Sequence, residues 1–139
     1  MGCGSTRGGA AAKAAGVRRL VLLSGRGEHH ARQGEDVVRD SGVDFTIVRA
    51  AWFAQNFSEG YLRDPILASV LPMPGGDIKE PILDIRDIAD VVVAALTEDV
   101  HDNQLYEVTG PRLMSFSDMA DELSYAMGRQ VRHIPISFE

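Results

Sequence analysis

Proton donation is the chemistry this chain's tyrosines are best suited to, yet none has the partner it calls for. A phenol with a lysine four residues on is an acid–base pair, because the nearby cation draws the hydroxyl toward ionisation. After Tyr61, Tyr106 and Tyr125 the fourth residue is Pro65, Gly110 and Arg129. Tyr125 and Arg129 copy the spacing with a guanidinium in place of the amine. They fall on the last helix of the chain, and the match is read as chance.

Two glycine clusters suggest phosphate binding. Gly25-Arg26-Gly27 follows an apolar run and opens a helical pattern, the setting of a dinucleotide-binding turn, but the third glycine position holds His30. The acidic residue expected roughly 20 positions on would be Asp44, which starts the next strand and does not end it. The denser cluster, Gly4 to Gly9, has no strand before it to aim a phosphate at a helix N-terminus. Among the histidines, Glu28-His29-His30 has ligand chemistry. Neighbours on a helix point about 100° apart, however, and no H-E-x-x-H or cysteine pair completes a metal site. No metal is expected.

The elements that must position these groups alternate between strand and helix. Ala10 to Ala15 reads as the end of a helix closed by Gly16. Leu20-Val21-Leu22-Leu23, ended by Ser24-Gly25, is a continuous apolar run and predicts a strand buried on both faces. Glu28 to Ser41 predicts a helix stopped by Gly42, and Asp44 to Arg49 the next strand. Phe53, Phe57 and Tyr61 at i, i+4 and i+8 predict a helix over Ala50 to Leu62. Pro65, Pro72, Pro74 and Gly75-Gly76 predict loops. A short strand over Lys79 to Leu83 leads to a helix with Asp87 as N-cap and Ile88, Val91, Val92, Ala95 and Leu96 inward. Gln104 to Thr109 is a further strand. Ser115 or Ser117 caps a helix with Phe116, Met119, Ala120, Leu123 and Met127 inward and Gly128 as its stop. Val131 to Ile136 closes the chain as a strand that Pro135 pushes to a sheet edge. This alternation predicts an α/β domain with a mostly parallel sheet flanked by helices. There is no internal repeat and no domain boundary.

Composition excludes several classes. The 139 residues carry 45% hydrophobic and 24% charged side chains, as a globular domain does. A net charge of −6 without any Lys/Arg run argues against a nucleic-acid partner. The single Cys3 excludes an internal disulfide, and the expected compartment is the cytoplasm. No apolar run approaches the ~20 residues of a membrane span. Residues 1–10 read as a flexible leader, although Met1-Gly2 with Thr6 formally fits a myristoylation pattern beside Cys3.

Six phrases in order carry a family resemblance: LVLLSG, GEDVVRDSG with Glu35, DFTIVRAAWFAQNF, PILDIRDIADVVVAAL, LYEVTG and FSDMADELSYAMG. Together they resemble the NmrA-like group of atypical short-chain dehydrogenases, over about Ala11 to Ser137. The resemblance implies a Rossmann-like fold over residues 11–139, made of later strands and a substrate-side lobe, without the first strands and their glycine-rich turn. It also implies NADP or NAD as cofactor, with NADPH favoured. In the family a lysine often lies early in the helix that carries Glu35, and the position here is Ala31.

By the same resemblance, the nicotinamide end of the pocket falls to Ser24, Gly25 and Arg26 on one strand end and to Ala50, Ala51, Trp52 and Phe53 on the next. Asn56 and Phe57 border the substrate. The catalytic residue is not identified by sequence. The implied function is hydride transfer from NAD(P)H to a quinone-like or other small electrophile. The alternative, carried by Ala31 and the missing Tyr–Lys pair, is a nucleotide-sensing regulatory or partner-binding protein without catalysis. A strand edge left open by missing neighbours is a template for pairing, so a homodimer through that edge is expected.

Overall fold

The computed structural model describes residues 6–137. The leader reading falls partly outside these residues, and so do the myristoylation pattern and Cys3. Where the leader is described it is helical: α1 spans Thr6–Ala14. Gly9 belongs to this helix and is buried. A Cβ there would lie 2.8 Å from the Ser41 Cβ. The glycine thus allows close helix packing, and it is not part of a phosphate cradle.

The residues fall into two compact units, one running up to Ala51 and resuming over Arg86–Val108, the other comprising Trp52–Ile85 and the chain from Thr109 onward. The chain passes between them three times, so no single linker marks the division in the sequence.

The first unit is built on three parallel strands: β1 (Arg19–Gly25), β2 (Asp44–Ala50) and a third, later strand, Gln104–Val108. The order places β2 in the middle, with Arg19 opposite Asp44 and Thr46 opposite Gln104. Thr46, Ile47 and Val48 are fully buried there. α2 (His29–Arg39) joins β1 to β2, and Gly42 ends the connection in the left-handed region at φ 69°. The reading of β1 as buried on both faces is corrected. Its residues are mostly half-buried and Leu23 is 49% exposed, because β1 is an edge strand.

Side-chain alternation gives β1 two distinct faces. Arg19 bonds Asp102, Asp99 (2.8 Å) and the Leu96 carbonyl (3.3 Å), while Ser24 meets Glu35 of α2. Arg19, Val21 and Leu23 therefore share one face and Leu20, Leu22 and Ser24 the other.

In the second unit, Trp52 and Phe53 are extended. Leu83 donates its N–H to the Trp52 carbonyl at 2.9 Å, and Ala54 donates to the Leu83 carbonyl at 2.8 Å. Only one 3-10 turn, Ala54–Phe57, precedes α3 (Arg63–Leu67). The helix expected over Ala50 to Leu62 is absent, and Tyr61 is 69% exposed. Strand pairing of Phe53 with Leu83 diverts the chain. β3 (Val70–Pro74) was expected to be loop. It is a strand paired in parallel with the last strand, Arg132–Ile136. Its prolines alternate, so both missing donors fall on one edge of a two-stranded sheet.

β4 is only Lys79–Glu80, shorter than the predicted strand, and pairs antiparallel with Met114–Ser115. α4 (Ile85–Thr97) starts before Asp87, which sits in its first turn and is not the N-cap. The Ile85 N–H instead donates to the Gln55 side chain at 3.1 Å. Of the predicted inward stripe, Ile88 and Ala95 are buried, but Leu96 is 53% exposed.

In chain order the remaining strands are β5 (Gln104–Val108), β6 (Met114–Ser115) and β7 (Arg132–Ile136), with α5 (Phe116–Met127) between the last two. α5 shows a full capping box. The Ser115 hydroxyl accepts from the Asp118 N–H at 3.1 Å, and the Asp118 carboxylate accepts from the Ser115 N–H at 2.8 Å. Gly128 ends it at φ 65°. Its inward face joins Leu62, Ile66, Leu71, Met73 and Val131 in the core of this unit.

Candidate functional site

The carboxyl ends of the strands in the first unit gather one of its clusters of charged groups. Glu35 sits on the inward face of α2 and is completely buried. Ser24 Oγ donates to its Oε1 at 2.7 Å. Arg49, from β2, grips both oxygens: Nε to Oε1 at 2.8 Å and Nη2 to Oε2 at 2.7 Å. Arg39 reaches Oε2 at 3.4 Å. Arg49 continues to Glu107 of β5 at 3.6 Å, and Glu107 to Arg26 at 3.8 Å. Charges thus alternate from α2 through β2 and β5 to the turn after β1.

A buried carboxylate of this kind survives because it is fully paired. The Arg49 hydrogen bonds hold the Glu35 carboxyl down to about 2 against the opposing effect of burial, with Ser24 adding to them. Glu35 is therefore a fixed anion and not a base at neutral pH. The Ser24 hydroxyl has its proton committed to it.

Between the ordinary carboxylate value and about 2, the unfolded chain binds a proton at Glu35 that the folded chain does not. The stability from this site is present above roughly pH 5 and is lost as pH falls toward 2. In urea titrations from neutral pH downward, the Glu35→Gln variant is expected to lose less stability than the parent over that window. Parallel curves would contradict it.

Of the residues assigned to the cofactor, Ser24, Gly25, Arg26, Ala50 and Ala51 come together in the first unit. Gly25 is in register with Ala50, the Arg26 N–H donates to the Ala50 carbonyl at 3.0 Å, and the Ala51 N–H donates to the Val108 carbonyl at 3.0 Å. Those backbone groups satisfy one another. A Cβ at Gly25 would meet only the end of the exposed Glu28 side chain, 2.6 Å from its carboxyl carbon, and that side chain is free to swing aside. Gly25-Arg26-Gly27 makes the turn from β1 into α2, with Gly27 in the left-handed region at φ 79° and the Glu28 N–H donating to the Gly25 carbonyl at 3.4 Å.

Trp52, Phe53, Asn56 and Phe57 belong to the second unit. Trp52 packs edge-on against Phe57 (5.9 Å) and Phe116 (6.0 Å). Phe57 also lines a cavity of about 650 Å³, whose other walls include Ile66 of α3 and Met119, Leu123 and Met127 of α5. Asn56 does not line it.

Sequence reasoning left the Glu35–Arg49 pair unassigned. The available signal was Glu35 lying four residues after Ala31 and three before Val38, on the apolar face of its helix. The cavity had no local signal, since its walls come from separate stretches of chain. Among the described residues no group of three or more His, Cys, Asp or Glu side chains could hold a metal ion. No helix among them is long and apolar enough to cross a membrane.

Parallel strands flanked by helices, with the polar cluster at their carboxyl ends, define a Rossmann-like α/β fold. No family model matches the chain. It is similar to an NAD(P)H azoreductase of Xenophilus azovorans, 37% identical over 138 residues, covering 93% of this chain and 48% of the relative. It is also 37% identical over 133 residues to a (4-alkanoyl-5-oxo-2,5-dihydrofuran-3-yl)methyl phosphate reductase of Streptomyces griseus, covering 88% of this chain and 47% of that one. Among solved structures, an NADPH-dependent quinone oxidoreductase of Escherichia coli superposes with a TM-score of 0.81 at 25% identity, over 96% of this chain and 51% of the other. These similarities agree with the resemblance to the NmrA-like group of atypical short-chain dehydrogenases, over part of those proteins' fold. The chain spans about half the length of the curated relatives it matches.

Proposed function

We propose that this chain is part of an NAD(P)H-dependent oxidoreductase that reduces a quinone-like or other small electrophile. The observation that carries the reading is the 37% identity to the azoreductase across 93% of this chain. Ser24–Arg26 and Ala50–Ala51 would hold the nicotinamide end of a nucleotide, which would supply the hydride when bound. What this chain supplies is the end of β1 and β2, held rigid by the Glu35–Arg49 cluster, and the apolar cavity that Phe57 lines.

The reading is tested by NADPH consumption in the presence of 2-methyl-1,4-naphthoquinone. Acceptor-dependent loss of NADPH absorbance is expected. No turnover with either NADPH or NADH would contradict it.

Among the described residues β1 lies at an edge of its sheet, and that edge supports a homodimer. Size-exclusion chromatography at high protein concentration is expected to show it, and a clean monomer would contradict it. A small-molecule substrate and a cytoplasmic location complete the reading.

A further inference from the structure

We infer that the cavity in the second unit binds a neutral, apolar, multi-ring molecule, and that it does so without a nucleotide. Its volume of about 650 Å³ lies well inside the range of ~300–1,000 Å³ typical of small-molecule sites. That space equals roughly 20 waters at ~30 Å³ each, so three or four linked or fused rings fill it.

The chemistry of the lining sets the class. Phe57, Ile66, Leu123 and three methionines, Met114, Met119 and Met127, face the space. Thioethers are polarisable and conformationally adaptable, and they pack well against aromatic edges. The charged groups at the lining are already matched: Arg112 pairs with Glu122, and Arg63 pairs with its neighbour Asp64 at 3.0 Å. A charged ligand would lose water and find no unpaired counter-ion, whereas a neutral one avoids that cost.

The site is also fixed before binding. Arg129, just past α5, donates to the Leu67 carbonyl at 2.7 Å, to the Ile66 carbonyl at 3.4 Å and to Ser69 Oγ. It thereby ties the C-terminal end of α3, one wall, to the end of α5, the other. A wall held open in advance reduces the ordering cost of binding.

The inference rests on the lining of this cavity and not on the reductase reading. The test uses the whole chain and two probes of one ring skeleton, neutral N-phenyl-1-naphthylamine and its sulfonated analogue 1-anilinonaphthalene-8-sulfonate. Saturable probe fluorescence with a micromolar Kd is expected for the neutral compound, and at least tenfold weaker binding for the anion.

Ala126→Trp and Ser58→Trp add bulk to the cavity lining at two exposed positions on separate segments. Each is expected to weaken the neutral probe at least tenfold with an unchanged circular dichroism spectrum. If one variant misfolds, the other decides. No saturable binding of the neutral probe, equal or tighter binding of the anion, or full affinity in a folded variant would overturn the inference. So would probe binding that vanishes as the chain dimerises, which would assign the cavity to a second copy. Failure here leaves NADPH consumption unaffected as a test, so the two readings fail separately.

Discussion

Glu35→Ala is expected to destabilise the protein by about 3 kcal/mol or more and to lower its Tm by about 10 °C. The carboxylate is fully buried and takes hydrogen bonds from Ser24, Arg49 and Arg39. Alanine leaves the Arg49 guanidinium largely enclosed without its main counter-charge, and it leaves the buried Ser24 hydroxyl without its acceptor. A lone buried charge costs far more than the pair contributes. The paired replacement Glu35→Leu with Arg49→Met is therefore expected to recover a large part of the loss. Thermal unfolding of the two single variants and the double variant checks this. Additive losses, or a loss below about 1 kcal/mol for Glu35→Ala, would show that the cluster does not hold these strand ends.

Gly110→Ala is expected to be comparably severe, in the second unit. A Cβ at this position would stand 1.7 Å from the Ile82 carbonyl oxygen and 2.6 Å from its carbon. The Gly110 N–H meanwhile donates to the Pro81 carbonyl at 2.9 Å, pinning the two segments together. The obstruction is backbone, so no rotamer relieves it, and the segments must separate and lose that bond. A loss of roughly 3 kcal/mol is expected, at the upper end of overpacking effects. Urea denaturation followed by Trp52 fluorescence reports on this unit directly, because Trp52 packs on Phe116 of its core. A midpoint within error of the parent's would mean the segments do not approach this closely.

How far the sequence foretold this structure depends on how local each signal was. α5 was legible because Ser115, Asp118 and Gly128 are cap residues that act within one turn. α2 with Gly42, and β2, were legible for similar reasons. The stretch after β2 was not. Its aromatics fit helical spacing, but the pairing of Phe53 with Leu83, 30 positions away, overrides that pattern. β3 was missed because prolines usually break strands, and only its two-stranded sheet tolerates two of them. β1 was recognised as a strand but misjudged in burial, since an apolar run cannot tell a central strand from an edge.

The candidate site divides in the same way. The strand ends at Ser24–Arg26 and Ala50–Ala51 were legible as neighbours because parallel strands bring their carboxyl ends together. The bonds that fix them, from Glu35 to Arg49 and from Arg49 to Glu107, join residues far apart in sequence and could not be read locally. The cavity depends on α3, α5 and the segment at Ile82, and no one stretch encodes it.

Under the proposed function, the claim open to the most direct test is that this chain binds NAD(P)H. The most direct test is a calorimetric titration of the purified chain with NADPH and then with NADH. Saturable heat with a micromolar Kd, about −8 kcal/mol, is the expected result, with NADPH the tighter of the two. No detectable binding of either nucleotide at millimolar concentration would contradict the claim.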